Sequence, residues 1–186
     1  MNKRQMTCVV FDLETTDKIS DMPGSEREDQ VRALQVSCVC ALVMDSDALT
    51  DPVRAPHAVD TGTMYTFWRD RGLDPFEGLF ELFDKADVIA SYNGLGFDHL
   101  VLHKYYISRT RYQNHVLKSH DAFQRLRDIT SFWYKLDALL KANGLETKTA
   151  NGLLAIQWWY EGRRDDIEEY CKGDVKACAR LLAKPT

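Results

Sequence analysis

Apolar residues in this chain come in short dense runs separated by polar and glycine-rich stretches. The first run, Cys8-Val9-Val10-Phe11, is followed at once by Asp12-Leu13-Glu14, so residues 7–14 read as a buried strand. Residues 15–30, with Pro23-Gly24 and mixed charges, read as a long loop. Residues 31–44 are rich in Val, Ala, Cys and Leu and predict a second central strand. Another strand is expected within 55–60 or 64–68, after a turn at Asp51-Pro52. Pro75 stands at a first helical position before the amphipathic series Phe76, Leu79, Phe80, Leu82 and Phe83. Val88-Ile89-Ala90-Ser91 is a short strand ended by Asn93-Gly94-Leu95-Gly96, with a helix expected over 97–106. Residues 107–130 hold a strand or turn at 117–121 and a helix after it. Helices at 136–140 (closed by Asn143-Gly144), 152–160 and 165–183 complete the chain, and Pro185 falls past the last of them. Early strands followed by strand–helix alternation predict an α/β fold. Its mixed central sheet is flanked by helices in a single domain over residues 1–186, with the core at 7–182.

Composition narrows the class without naming the chemistry. A chain of 186 residues, 45% of them hydrophobic, can bury one good core and not two comfortable ones. A net charge of −4 argues against holding nucleic acid by bulk charge alone. Carboxylates that bind metal would make that count more acidic than the loaded surface. The polar start Met1-Asn2-Lys3-Arg4-Gln5 is unlike a secretion signal, and no stretch approaches the roughly 20 apolar residues of a membrane span. An intracellular protein without a membrane partner is expected. The five cysteines all lie in apolar surroundings and read as free thiols of a reducing compartment. Cys38-Val39-Cys40 lacks the second pair that a zinc site would want.

Four acidic positions in three segments change the picture. Side chains two apart in a strand share a face, so Asp12 and Glu14 lie side by side at the end of a buried strand. Two like charges there are costly unless a cation sits between them. The last helix carries an apolar stripe of Ile167, Tyr170, Cys171, Val175, Cys178, Leu181 and Leu182, with Asp174 inside it, one turn after Tyr170. A carboxylate on that stripe needs a partner, which could be a metal or a distant arginine. Asp98 follows the glycine-punctuated turn after the short strand, where it could equally serve the first turn of a helix.

In this order, Val10-Phe11-Asp12-Leu13-Glu14-Thr15-Thr16, Ser91-Tyr92-Asn93-Gly94 through Phe97-Asp98, and Tyr170-Cys171-Lys172-Gly173-Asp174-Val175 resemble the DEDD superfamily of 3′–5′ exonucleases. Tyrosine four positions before the last aspartate, with glutamate at 169, is similar to the tyrosine branch. The nearest likeness is to the proofreading domains of family B DNA polymerases and related stand-alone exonucleases. The resemblance implies a ribonuclease H-like fold and hydrolysis of phosphodiester bonds from the 3′ end of a nucleic acid, DNA favoured over RNA. It implies Asp12, Glu14, Asp98 and Asp174 as ligands of two divalent ions, Mg²⁺ or Mn²⁺. Hard cations prefer such oxygen donors, and two can clamp the attacking and leaving oxygens of an in-line displacement. Tyr170 would orient the attacking water, since a phenol with a pKa of about 10 is a poor base at neutral pH. The same motifs are compatible with a catalytically silent binding module or a structure-specific endonuclease.

Leu13, Thr15, Thr16, Asn93 and Phe97 lie inside these motifs and are candidate substrate contacts, with Leu13 and Phe97 also core candidates. Residues 103–127 hold six cations against Asp121 alone, interleaved with Tyr105, Tyr106, Tyr112 and Phe123. Lys104, Arg109 and Arg111 are therefore the expected contacts to a single-stranded or frayed 3′ end. Replication or repair proteins are the expected protein partners. His99 and His103 have the helical spacing of a zinc pair, but Leu100 stands where a zinc protease needs glutamate, so they read as packing and surface histidines. Trp158-Trp159 reads as core and partner surface.

Overall fold

The computed structural model describes residues 6–49, 54–147 and 152–184. Its centre is a five-stranded mixed sheet in the order β3-β2-β1-β4-β5. The strands are β1 (Thr7–Thr15), β2 (Val36–Asp45), β3 (Thr63–Trp68), β4 (Val88–Ser91) and β5 (Ser119–Asp121). β1 pairs antiparallel with β2 and parallel with β4, β2 antiparallel with β3, and β4 parallel with β5. The helices are α1 (Arg27–Ala33), α2 (Ser46–Leu49), α3 (Ala55–Thr61), α4 (Glu77–Lys85), α5 (Asp98–Leu102), α6 (Arg109–Leu117), α7 (Ala122–Thr130), α8 (Leu136–Ala142), α9 (Gly152–Glu161) and α10 (Arg164–Leu182). The expected α/β class, with a mixed sheet between helices, is the observed one.

The continuous apolar run of β1 follows from its position, because both faces of a central strand are covered. Val9, Phe11 and Leu13 face Val31 of α1, Leu79, Phe80 and Phe83 of α4, and Val101 and Leu102 of α5. Cys8 and Val10 face the other way, onto Ile167, Cys171, Val175 and Cys178 of α10. Burying each such aliphatic or aromatic side chain contributes about 1.5–3 kcal/mol.

Several expected boundaries move. The strand foreseen over 31–44 begins at Val36, because residues 27–33 are helical, with Arg32 paired to Glu28 one turn earlier. The loop foreseen over 15–30 therefore contains a 3₁₀ turn at Ile19–Asp21 and the start of α1. Of the two sites offered for the third strand, 64–68 is β3 and 55–60 is helix α3, with Pro56 in its first turn. Pro75 lies just before α4, which starts at Glu77. The helix foreseen over 97–106 is α5 continued by a 3₁₀ turn at His103–Tyr105. The predicted turn at Asp51-Pro52 and Pro185 fall outside the described residues.

Candidate active site

Asp12 and Glu14 project from the end of β1 toward α10. Their carboxylate oxygens and the Cys171 sulfur lie within 4.8 Å of one another. Glu14 is buried and Asp12 half-buried. Gly152, opening α9, passes over Glu14, where an added Cβ would lie 3.8 Å from Oε2.

Asp98 reaches the same strand end from the opposite side. It is 3% exposed, and its Oδ1 accepts the Leu13 N–H at 3.2 Å, between the two acidic residues of β1. That bond is available because the β1–β4 ladder covers only Cys8 to Val10 on the β1 side, leaving the later backbone free on that edge. The turn that delivers Asp98 is held by another carboxylate. Asp121, at the end of β5, accepts from the backbone N–H groups of Asn93 at 2.8 Å and Leu95 at 3.0 Å. It also caps α7 through the N–H groups of Phe123 and Gln124. Asn93 adopts φ +64°, and Gly94 sits so close to Ser91 that a Cβ would lie 2.1 Å from Oγ. This is the physical reason for Asn-Gly at the turn.

The third element is α10. Ile167, Tyr170, Cys171, Asp174, Val175 and Cys178 are all buried, so the stripe read from the sequence is the face laid on the sheet. Burial, followed by the charges of Asp174, Glu14 and Asp12, pushes the Tyr170 phenol well above its usual range. Tyr170 stands one turn before Asp174 on that face, and burial together with these charges favours its protonated form.

No protein-family model matches the chain, and no curated relative is found by sequence. Solved structures do match. The family B DNA polymerase of the hyperthermophilic archaeon Pyrobaculum calidifontis aligns with a TM-score of 0.58 and 16% identity, over 96% of this chain and 24% of that one. A product-bound exonuclease I aligns with a TM-score of 0.57 and 16% identity, over 96% of this chain and 42% of that one. The chain thus spans less than half the length of either. Its fold is ribonuclease H-like.

On this ribonuclease H-like frame the remaining candidates scatter. Leu13 turns its side chain into the core, on the face away from Asp12 and Glu14. Thr15 and Thr16 spend their hydroxyls locally, donating to the Asp17 carbonyl and to Asp17 Oδ2. Phe97 packs on the apolar core, and Asn93 lines a groove described below. Arg111 is held by Glu77 and Asp84 on α4 and lies over the Phe80 ring. Lys104 donates to the Ala33 and Leu34 carbonyls, and Lys118 to those of Phe83, Asp84 and Ala86. Arg109 is exposed at the start of α6. Much of the basic segment thus ties elements together on the sheet face opposite α10. Net charge along the sequence could not reveal this, because it ignores direction.

Cationic and aromatic side chains reach Tyr170 by another route. A groove of about 690 Å³ runs from Tyr170 and Asn93 past Tyr92 and Phe123 to Arg127 and Trp133, with Arg27 and Lys135 on its walls. Trp133 is 72% exposed, stacked edge-on against Phe123 and covered by the Arg127 guanidinium at 5.4 Å. The signal in the sequence was Phe132-Trp133-Tyr134-Lys135, an aromatic and basic cluster between two helices. His99 is core, bonded to Ser119 Oγ, and Trp158 and Trp159 are half-buried beside α10.

Proposed function

We propose that this chain is a metal-dependent 3′–5′ exonuclease of the tyrosine branch of the DEDD superfamily, acting as one domain. The observation that carries the reading is the meeting of Asp12, Glu14 and Asp98 at one end of β1, with Tyr170 and Asp174 on the buried face of the helix α10 that packs on that strand. The donor set fits the implied ions: four carboxylates, three of them buried, are the hard oxygen ligands that Mg²⁺ or Mn²⁺ takes. Bound there, a divalent pair supplies charge neutralisation and an acidified water.

The chain's own residues account for the rest. Tyr170 positions the water through its hydroxyl, because a phenol with an ordinary pKa of about 10 is a poor base at neutral pH. Trp133, Phe123 and Tyr92 offer ring faces to unpaired bases, while Arg127, Lys135 and Arg27 meet the phosphates. Aromatic stacking of this kind selects a single-stranded or frayed end. The likeness to a DNA polymerase and an exonuclease favours DNA over RNA, with replication or repair proteins as partners.

The test is release of mononucleotides from 3′-ended single-stranded DNA and RNA with Mg²⁺ or Mn²⁺, stopped by EDTA. Asp98→Asn and Asp174→Asn should each lower the rate by about 10³-fold, the several kcal/mol that metal coordination supplies. Tyr170→Phe should lower it by about 10²-fold. Folded protein that releases nothing from either polymer defeats the proposal, and cutting of covalently closed circles replaces it with an endonuclease.

A further inference from the structure

Three of the five cysteines meet at one point. Cys38 and Cys40 are two apart on β2 and so share a face, opposite Glu14 and Asp12 respectively in the β1–β2 register. Cys171 descends from α10 onto both, and all three side chains are fully buried. Their sulfurs lie within 4.8 Å of one another, and all three are free thiols. We propose that Cys38, Cys40 and Cys171 form a binding site for a thiophilic divalent cation of the Zn²⁺ and Cd²⁺ class, entered past Asp12 and Glu14.

The geometry is close to what such an ion needs. A zinc–sulfur bond of about 2.3 Å sets sulfur–sulfur separations of about 3.8–4.0 Å for tetrahedral or trigonal coordination. Closing from 4.8 Å is therefore a movement of at most about 1 Å. Two donors are fixed by a central strand paired on both sides, and the third by a helix whose Cys171 thiol already donates to the Asp12 carbonyl at 3.4 Å. Entry has a route, because the Cys171 sulfur also stands within 4.8 Å of the Asp12 and Glu14 carboxylate oxygens. A cation drawn by the acidic pair thus reaches the sulfurs without crossing the core. Three sulfur–hydrogen bonds break as three sulfur–metal bonds form, three protons leave to solvent, and nothing is oxidised. The product with a divalent ion carries one net negative charge, beside the Glu168–Lys172 ion pair at the Cys40 end.

The sequence contained only the Cys-x-Cys half of this site; the third donor is 131 positions beyond Cys40 and arrives by packing alone. The proposal stands on the sulfurs and does not depend on nuclease activity. Occupancy would nonetheless pull on the acidic pair, so the chain should lose hydrolysis as the ion binds.

Cd²⁺ alone, titrated into the full chain reduced with a phosphine, tests the site through the ultraviolet sulfur-to-cadmium charge-transfer band. The band should saturate at one ion per chain. It should fall by about a third in each of Cys38→Ser, Cys40→Ser and Cys171→Ser, as expected when one of three thiolates is removed. Cys8→Ser should leave it unchanged. Since a serine in a dry core can unfold the chain, X-ray absorption at the cadmium edge of the wild-type protein provides a second measurement. A shell of three sulfurs supports the site. A shell of oxygens alone, or a band that persists at full strength in folded Cys171→Ser, overturns it.

Discussion

Asp121 is the residue on which the arrangement of the second acidic segment hangs, and replacing it separates that role from catalysis. Its Oδ1 accepts from Asn93, Phe123 and Gln124, and its Oδ2 from Leu95. Asp121→Ala removes a helix cap, worth about 0.5–2 kcal/mol. It also leaves the Asn93 and Leu95 N–H groups unsatisfied in a half-buried turn, at about 1–1.5 kcal/mol each, the low end of that penalty. The expected loss is about 2.5–5 kcal/mol, a large share of the roughly 5–15 kcal/mol that holds a domain together. For a chain of this size that lowers the melting temperature by about 5–20 °C. Asp121→Asn keeps the three bonds to Oδ1 and sets an amide N–H₂ against the Leu95 N–H, so it should cost about 1–3 kcal/mol. Urea unfolding followed by tryptophan fluorescence reads both variants, and the order wild type, Asn, Ala is the expected one. Where the Asn variant is still folded, mononucleotide release should fall, because the turn that delivers Asp98 is loosened. An alanine variant within about 0.5 kcal/mol of wild type, the range of an ordinary surface substitution, would refute the reasoning.

Two other outcomes are expected. Burial, and then the charge of His115, holds His99 down to about 4 from its usual 6.5. The unfolded chain therefore binds more protons between those values, and stability present above pH 6.5 is lost as pH falls toward 4, by at most about 1.4 kcal/mol per unit. Burial lowers His115 in the same direction. His99→Leu should flatten the urea midpoint across this window, and identical slopes in the two proteins would count against it. Arg111→Ala should cost about 1 kcal/mol through its pairs with Glu77 and Asp84, leaving KM for a 3′-ended oligonucleotide unchanged. Arg127→Ala should do the reverse, and a raised KM in the Arg111 variant would move the strand to the other side of the sheet.

The mixed sheet was legible because its central strand is a short, β-branched apolar run ended by charges, the pattern of a strand covered on both faces. The stripe on α10 was legible for the same kind of reason, since three-and-four spacing of Tyr170, Asp174 and their apolar neighbours leaves one face for the sheet. Residues 27–33 were harder, because their helix is secured by an ion pair and by Val31 and Leu34 packing against distant elements. Lys104 and Arg111 show the limit most plainly. A count of charges cannot distinguish a cation that faces a nucleic acid from one that bonds a carbonyl or a neighbouring helix.

By itself, then, the order of residues determined the periodicities, and with them the strand that carries Asp12 and Glu14 and the helix that carries Tyr170 and Asp174. Those depend on neighbours within a few positions, where the backbone sets which side chains share a face. Tertiary structure alone decided that Asp98 bonds the backbone between the two β1 acids. It decided equally that Asp121 anchors the turn before Asp98, that Trp133 and Arg127 line the approach to Tyr170, and that Cys171 meets Cys38 and Cys40. Each of these joins residues from separate segments, and only the closing of the core brings them within reach.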